Sequence, residues 1–211
     1  VWLPLNGDLK NIGTDRSAQV TNTNAAVNNN GKIGKCYSFG TGASGLALSA
    51  SAMQNFNGEC SLSLWVNILS WNTAYATLFQ AGPNAYAWKD YIFGVLRNNN
   101  GSNLCFSISD GTTGSAANYT TSALDLNKWY NLIFTYRTGE CKIYINGELD
   151  KKYSPTIVPN FLAITNISIG RSNKASSDTR FAMCRKIRLG KRPRLELSTC
   201  YGMARVWCTV R

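Results

Sequence analysis

The chain contains no histidine. That absence excludes Ser-His-Asp and Cys-His nucleophilic sites and any zinc held by imidazole. Acidic residues are scarce, with 11 Asp and Glu in 211 residues. An enzyme built on this chain would have to work with few carboxylates, or with Lys, Tyr or Cys. No apolar run approaches the roughly 20 residues of a membrane-spanning helix. No signal peptide is visible, and the chain opens on Val1, as a fragment or processed product would. Seven cysteines are present (Cys36, Cys60, Cys105, Cys141, Cys184, Cys200, Cys208), an odd number with no CxxC pair. Cys105 and Cys141 sit inside apolar alternations, where a thiol behaves as a small hydrophobe. Mostly free thiols are therefore expected, since a core of this size does not require a disulfide framework. No helical period runs through the sequence, and a charged fraction of only 16% does not suit a helical bundle.

What is present is period two. In residues 129–147, WYNLIFTYRTGECKIYING, the side chains Tyr130, Leu132, Phe134 and Tyr136 alternate with Asn131, Ile133, Thr135 and Arg137. This is a strand with two unlike faces. Thr138-Gly139 breaks it, and Cys141, Ile143 and Ile145 resume the alternation. Asn146-Gly147 predicts a type I′ hairpin turn, with Glu148–Tyr153 as the returning strand. Cys60–Ile68 is a further strand, with Leu62, Leu64, Val66 and Ile68 on one face. Shorter candidates are Lys35–Phe39, Gly45–Leu48, Thr77–Gln80, Tyr91–Leu96, Leu104–Ile108 and Ile164–Ile169. Residues 6–34 and 110–122 read as polar loops. Strands recurring between turn signals predict an all-β fold, an antiparallel β-sandwich.

Charge is uneven. Residues 182–211 hold eight Lys and Arg against Glu196, a net +7 of the chain's +11. The expected organisation is one domain over residues 1–181 and an atypical basic, Cys-containing tail over 182–211. The abrupt rise in Arg and Cys fits a change of reading frame near residue 182, although Ile187-Arg188-Leu189 could stand in for a closing strand. The tail's basic stretch KIRLGKRPR (186–194) has no interleaved aromatics, so nucleic acid is not an expected partner.

Three segments carry a resemblance: SLSLWVNI (61–68), LNKWYNLIFTYRTGECKIYINGEL (126–149) and ISIGRSN (167–173). GKIGKCYSFGTG (31–42) and VWLPLNGDLKNIG (1–13) add to it. Together they resemble the laminin G-like, concanavalin A-like lectin-glucanase jelly-roll family, as found in bacterial surface and phage tail proteins. The resemblance implies a jelly-roll sandwich in an extracellular, cell-surface or virion protein. Its implied role is a non-catalytic carbohydrate-binding or adhesion module of a larger protein. The alternatives are a structural spacer or oligomerisation module of a virion, and a glycoside hydrolase relative. Some hydrolases of this family carry a Glu-x-Asp-x-x-Glu strand that is missing here; Glu148 and Asp150 match an ordinary hairpin. Calcium is common in the family. Asp8, Asp110 and Asp178 lie in loops, but two usual acidic positions hold Gly40 and Lys186, so no cofactor is expected and the metal question stays open.

Sugar binding needs flat aromatic faces beside fixed amide or carboxylate groups. The segment 71–91, WNTAYATLFQAGPNAYAWKDY, is the densest such cluster outside the clear strands. Trp71, Tyr75, Asn84, Tyr86, Trp88 and Asp90 are the candidate ligand-binding residues, for a glycan or cell-surface polysaccharide. The plainer reading is that Trp71 and Trp88 cap the sandwich edge. Trp65 and Trp129 read as packing residues.

Overall fold

The computed structural model describes residues 1–14, 16–40, 44–71, 75–84, 87–99, 101–112, 115–172 and 182–190, with backbone alone at 88, 115–117 and 182–186. In chain order the strands are β1 (Trp2–Leu3), β2 (Val20–Thr23), β3 (Ala26–Asn28), β4 (Cys36–Ser38), β5 (Gly45–Leu48), β6 (Glu59–Ile68), β7 (Thr77–Gly82) and β8 (Phe93–Arg97). They continue with β9 (Leu104–Ser109), β10 (Ser115–Tyr119), β11 (Trp129–Arg137), β12 (Glu140–Ile145), β13 (Glu148–Tyr153), β14 (Asn166–Ile169) and β15 (Ala182–Gly190). All strand pairings are antiparallel. The first sheet runs β13-β12-β11-β6-β15-β4-β3, with β1 also on β15; the second runs β10-β9-β8-β7-β14-β5-β2. This is the all-β sandwich that the alternation predicts.

The alternating apolar sets of both sheets meet in one core. Leu62, Leu64 and Val66 of β6 and Leu132, Phe134 and Tyr136 of β11 face Phe79, Phe93, Val95 and Phe106 of the second sheet. Phe134 joins the layers: its ring stacks on Phe93 at 4.7 Å and meets Phe106 edge-on at 4.9 Å. Burying one such side chain stabilises by about 1.5–3 kcal/mol, so this junction holds a large share of the net stability. Cys36, Cys60, Cys105 and Cys141 are buried; Cys60, Cys105 and Cys141 are free thiols, as the apolar alternation around Cys105 and Cys141 predicts for those two.

The hairpin from β12 to β13 turns where expected. Asn146 and Gly147 both take left-handed angles, with φ of 54° and 91°, as a type I′ turn demands. Three strands lie where polar loops are expected: β2, β3 and β10. Each is an outer strand of its sheet, where one side lacks a neighbour and apolar alternation is not needed. The largest difference is β15. It lies just beyond the boundary expected at residue 181 and sits between β6 and β4, with Ile187 and Leu189 buried in the core at 0% and 3% exposure.

Candidate functional site

Residues 71–91 are not one loop. β7 runs through their middle and parts the candidates into two groups at opposite ends of a six-residue strand, about 17 Å apart at the usual rise. Trp71 and Tyr75 lie before β7; Asn84, Trp88 and Asp90 lie after it. Tyr86 falls outside the described residues, as does the side chain of Trp88.

At the first end, Arg97 organises the geometry. Its Nη1 donates to the Trp71 carbonyl at 2.8 Å and its Nε to the Gly101 carbonyl at 2.9 Å, while the guanidinium lies 5.2 Å from the Trp71 ring centroid. Arg97 is 6% exposed, and burial lowers its pKa. The Trp71 ring is half-buried, one side on the main core. Tyr75 is also half-buried and has a left-handed backbone (φ 56°), packing on the small cluster Tyr91, Leu96 and Cys105. A non-glycine residue in that region is uncommon, and such angles gather where surrounding structure fixes a side chain's direction.

At the second end, Trp88–Asp90 form a 3-10 turn, and Asn84 is exposed. Asp90 is 5% exposed, and its carboxylate accepts the Ala87 N–H inside that turn. It therefore shapes the turn from within. The turn crosses close to β7: a Cβ added at Gly82 would stand 1.8 Å from the Asp90 carbonyl oxygen. Gln80 Nε2 donates to that same carbonyl at 3.3 Å, and Ser109 Oγ donates to the Lys89 carbonyl at 2.6 Å.

Between the two ends the chain covers the outer face of the second sheet. The Tyr91 ring rests on Gly94, where an added Cβ would come within 2.6 Å of its Cδ1, and the Tyr91 and Thr77 hydroxyls share a hydrogen bond of 2.9 Å. Every residue of β7, β8 and β9 is buried as a result.

Most carboxylates among the described residues have structural partners. Glu59 pairs with Arg137 at 3.1 Å, and Asp125 pairs with Lys128 at 2.7 Å. Lys142 and Lys152 flank Glu140 and hold its carboxyl down at about 2. Asp8 and Asp110 each accept a backbone N–H two residues on, from Lys10 and Thr112. Asp150 has a role the sequence does not signal. It is the extra residue of a β-bulge, since Ile143 faces Lys151 while the adjacent Tyr144 faces Leu149. Turned outward there, its carboxylate accepts the N–H groups of Thr121 (2.7 Å) and Ser122 (3.0 Å), tying β13 to the loop after β10. Among the described residues, no three His, Cys, Asp or Glu side chains group to hold a metal ion; Asp178 lies outside them.

The chain belongs to the concanavalin A-like lectin/glucanases superfamily, whose sequence pattern matches residues 39–185. Its fold is similar to that of the botulinum neurotoxin serotype G binding domain, with a TM-score of 0.67, 16% identity and 90% of this chain covered. This chain spans 47% of that domain's length. The serotype C1 binding domain is similar at a TM-score of 0.63 and 18% identity, over 83% of this chain and 44% of that one. Domain 4 of an extracellular arabinanase from Geobacillus stearothermophilus, solved in complex with arabinotriose, is similar at a TM-score of 0.58 and 18% identity, over 82% of this chain and 81% of that one. No curated protein matches the chain by sequence. No helix among the described residues is long and apolar enough to cross a membrane.

Proposed function

We propose that this domain is a non-catalytic carbohydrate-recognition module of a larger extracellular protein, of the bacterial-surface or phage-tail kind. The observation that carries the reading is the Trp71 ring, held between the Arg97 guanidinium and the core at the rim of the second sheet. A sugar ring stacks on such a fixed aromatic face without the cost of ordering it. Tyr75 extends the rim. Asn84 is exposed at the opposite rim, beside the turn that Asp90 shapes from beneath. The superfamily contains lectins, and one structural neighbour was solved with a bound arabinotriose, so arabino-oligosaccharides are the first ligands to try. The non-catalytic reading is supported by the structural engagement of Glu59, Asp90, Asp125, Glu140 and Asp150, which leaves them poorly placed for acid-base work at a glycosidic bond.

A glycan array, followed by titration of the best ligand, tests the proposal. Trp71→Ala should abolish rim binding, and Trp88→Ala should weaken it. Absence of any bound glycan points to a structural spacer, and turnover of a defined oligosaccharide points to a hydrolase; either result refutes the reading.

A further inference from the structure

We propose a second saccharide-binding surface on the outer face of the first sheet, built on Trp65, Trp129 and the side-chain oxygen of Asn67, for a sugar that carries a carboxylate. It goes beyond the rim reading and does not depend on it. On β6 the inner set Leu64 and Val66 alternates with outward Trp65 and Asn67; on β11 the inner Tyr130 and Leu132 alternate with outward Trp129 and Asn131. The register pairs Asn67 with Trp129 and Trp65 with Asn131. The two indoles are therefore diagonal neighbours on one face, about 7–8 Å apart along the backbone. Both are half-buried.

Between them lies an unmet acceptor. Asn67 is 6% exposed, and its Oδ1 has no hydrogen-bond partner. Buried acceptors without donors are rare because they lose their water for nothing in return. A hydroxyl of a sugar stacked on either indole would supply the missing donor. The charge at this place is positive. Lys32 Nζ stands 5.8 Å from the Trp65 ring centroid, and no carboxylate pairs with it among the described residues. Arg188, 5.4 Å from the Trp2 ring, continues the positive rim on the neighbouring strand. Glu59 and Glu140, farther along this face, are already neutralised by Arg137, Lys142 and Lys152. An acidic sugar thus meets an ammonium beside the ring on which it stacks and, among the described residues, no opposing free carboxylate.

Calorimetric titration of the full chain with tetragalacturonate, tetramannuronate and sialyllactose, against neutral cellotetraose, tests this surface. At least one acidic probe should bind, and Trp65→Ala and Trp129→Ala should each weaken it at least tenfold. Asn67→Leu keeps the volume and removes the orphan amide. It should weaken binding about fivefold, the usual worth of one hydrogen bond, while the melting temperature holds or rises. Lys32→Gln should remove the preference for acidic over neutral sugar, and Trp71→Ala should change nothing. Failure of all three acidic probes to bind overturns the proposal. So does unchanged binding in the folded Asn67→Leu protein, or loss of the same binding in Trp71→Ala.

Discussion

Replacing Arg97 with Met removes the group on which the Trp71 rim depends, and the cost follows from its contacts. Two charge-assisted hydrogen bonds disappear, to the carbonyls of Trp71 and Gly101. Each is worth about 1.5–3 kcal/mol. The stacking on Trp71 adds about 0.5–1 kcal/mol. Against this, burial already lowers the Arg97 pKa, so removing the charge recovers part of its desolvation penalty. The balance is a loss of about 2–4 kcal/mol. For a domain of this size each kcal/mol moves Tm by about 2–4 °C, so Arg97→Met should melt roughly 4–16 °C lower. Arg97→Lys should fall between, since an ammonium on a flexible stem does not present the planar fork that reaches two carbonyls at once. Calorimetric melting of the three proteins at pH 7 reads the series. A Tm for Arg97→Met within about 1 °C of the parent would refute the reasoning, because the two bonds would then contribute nothing net.

Gly82→Ala should cost about 1–3 kcal/mol in urea unfolding and weaken binding at the Asn84 end alone, since its Cβ would meet the Asp90 carbonyl oxygen at 1.8 Å and lift the 88–90 turn. Cys105 and Cys141 should resist alkylation at pH 8 until the protein unfolds, because burial pushes both thiols up to about 12 from an ordinary 9.0. A raised thiol pKa favours the folded state fully below the unfolded value, so the same two residues should make stability fall as pH rises from about 9 to 12. A Cys105→Ala, Cys141→Ala protein should show a shallower slope, the remainder coming from groups such as Cys60, whose thiol pKa burial also raises. Chain ended at residue 181 should fail to unfold cooperatively, whereas chain ended at 190 should retain a sharp transition by circular dichroism. The shorter form lacks the strand between β6 and β4 and the burial of Ile187 and Leu189, worth about 1.5–3 kcal/mol each.

The sandwich is legible where strands bury one face and expose the other. β6, β11 and β12 alternate cleanly because each lies inside the first sheet with its inner face on the core. β13 is an outer strand with no apolar alternation, and it is legible only through Asn146-Gly147. β2, β3 and β10 have neither signal, which is why VTNT, AVN and SAANY read as loop. Ile187-Arg188-Leu189 alternates and is legible as a closing strand, although the Arg-rich residues around it match no strand pattern. Ile187 and Leu189 stand in core register, and translation of the neighbouring frames tests whether the reading frame changes near residue 182. The aromatic cluster at 71–91 shows the opposite failure. Its composition is visible and Thr77–Gln80 is legible as a short strand, but the cover that buries the polar Thr77 and Gln80 and parts the cluster into two ends is made by the later chain and is not. Asp150 was beyond reach altogether, since a bulge is a property of two strands in register and not of either sequence alone.

That covering constrains where ligands can be read. The outer face of the second sheet has a polar floor, Thr77, Gln80 and Ser107, each at 0% exposure. In an open sandwich such a floor would be the natural bed for a polar ligand. Here Tyr91 occupies Thr77, the carbonyl of Asp90 takes Gln80, and Ser107 Oγ is buried without a partner. Opening this bed would strip the Tyr91, Leu96 and Cys105 cluster of its cover and break the Tyr91–Thr77 and Gln80–Asp90 bonds, at a cost that weak saccharide contacts do not repay. On the proposed reading, recognition is displaced to places the fold leaves open without rearrangement. One is the rim that Trp71 and Arg97 stiffen at the end of β8. The other is the outer face of β6 and β11, where two indoles flank an amide oxygen still lacking its donor.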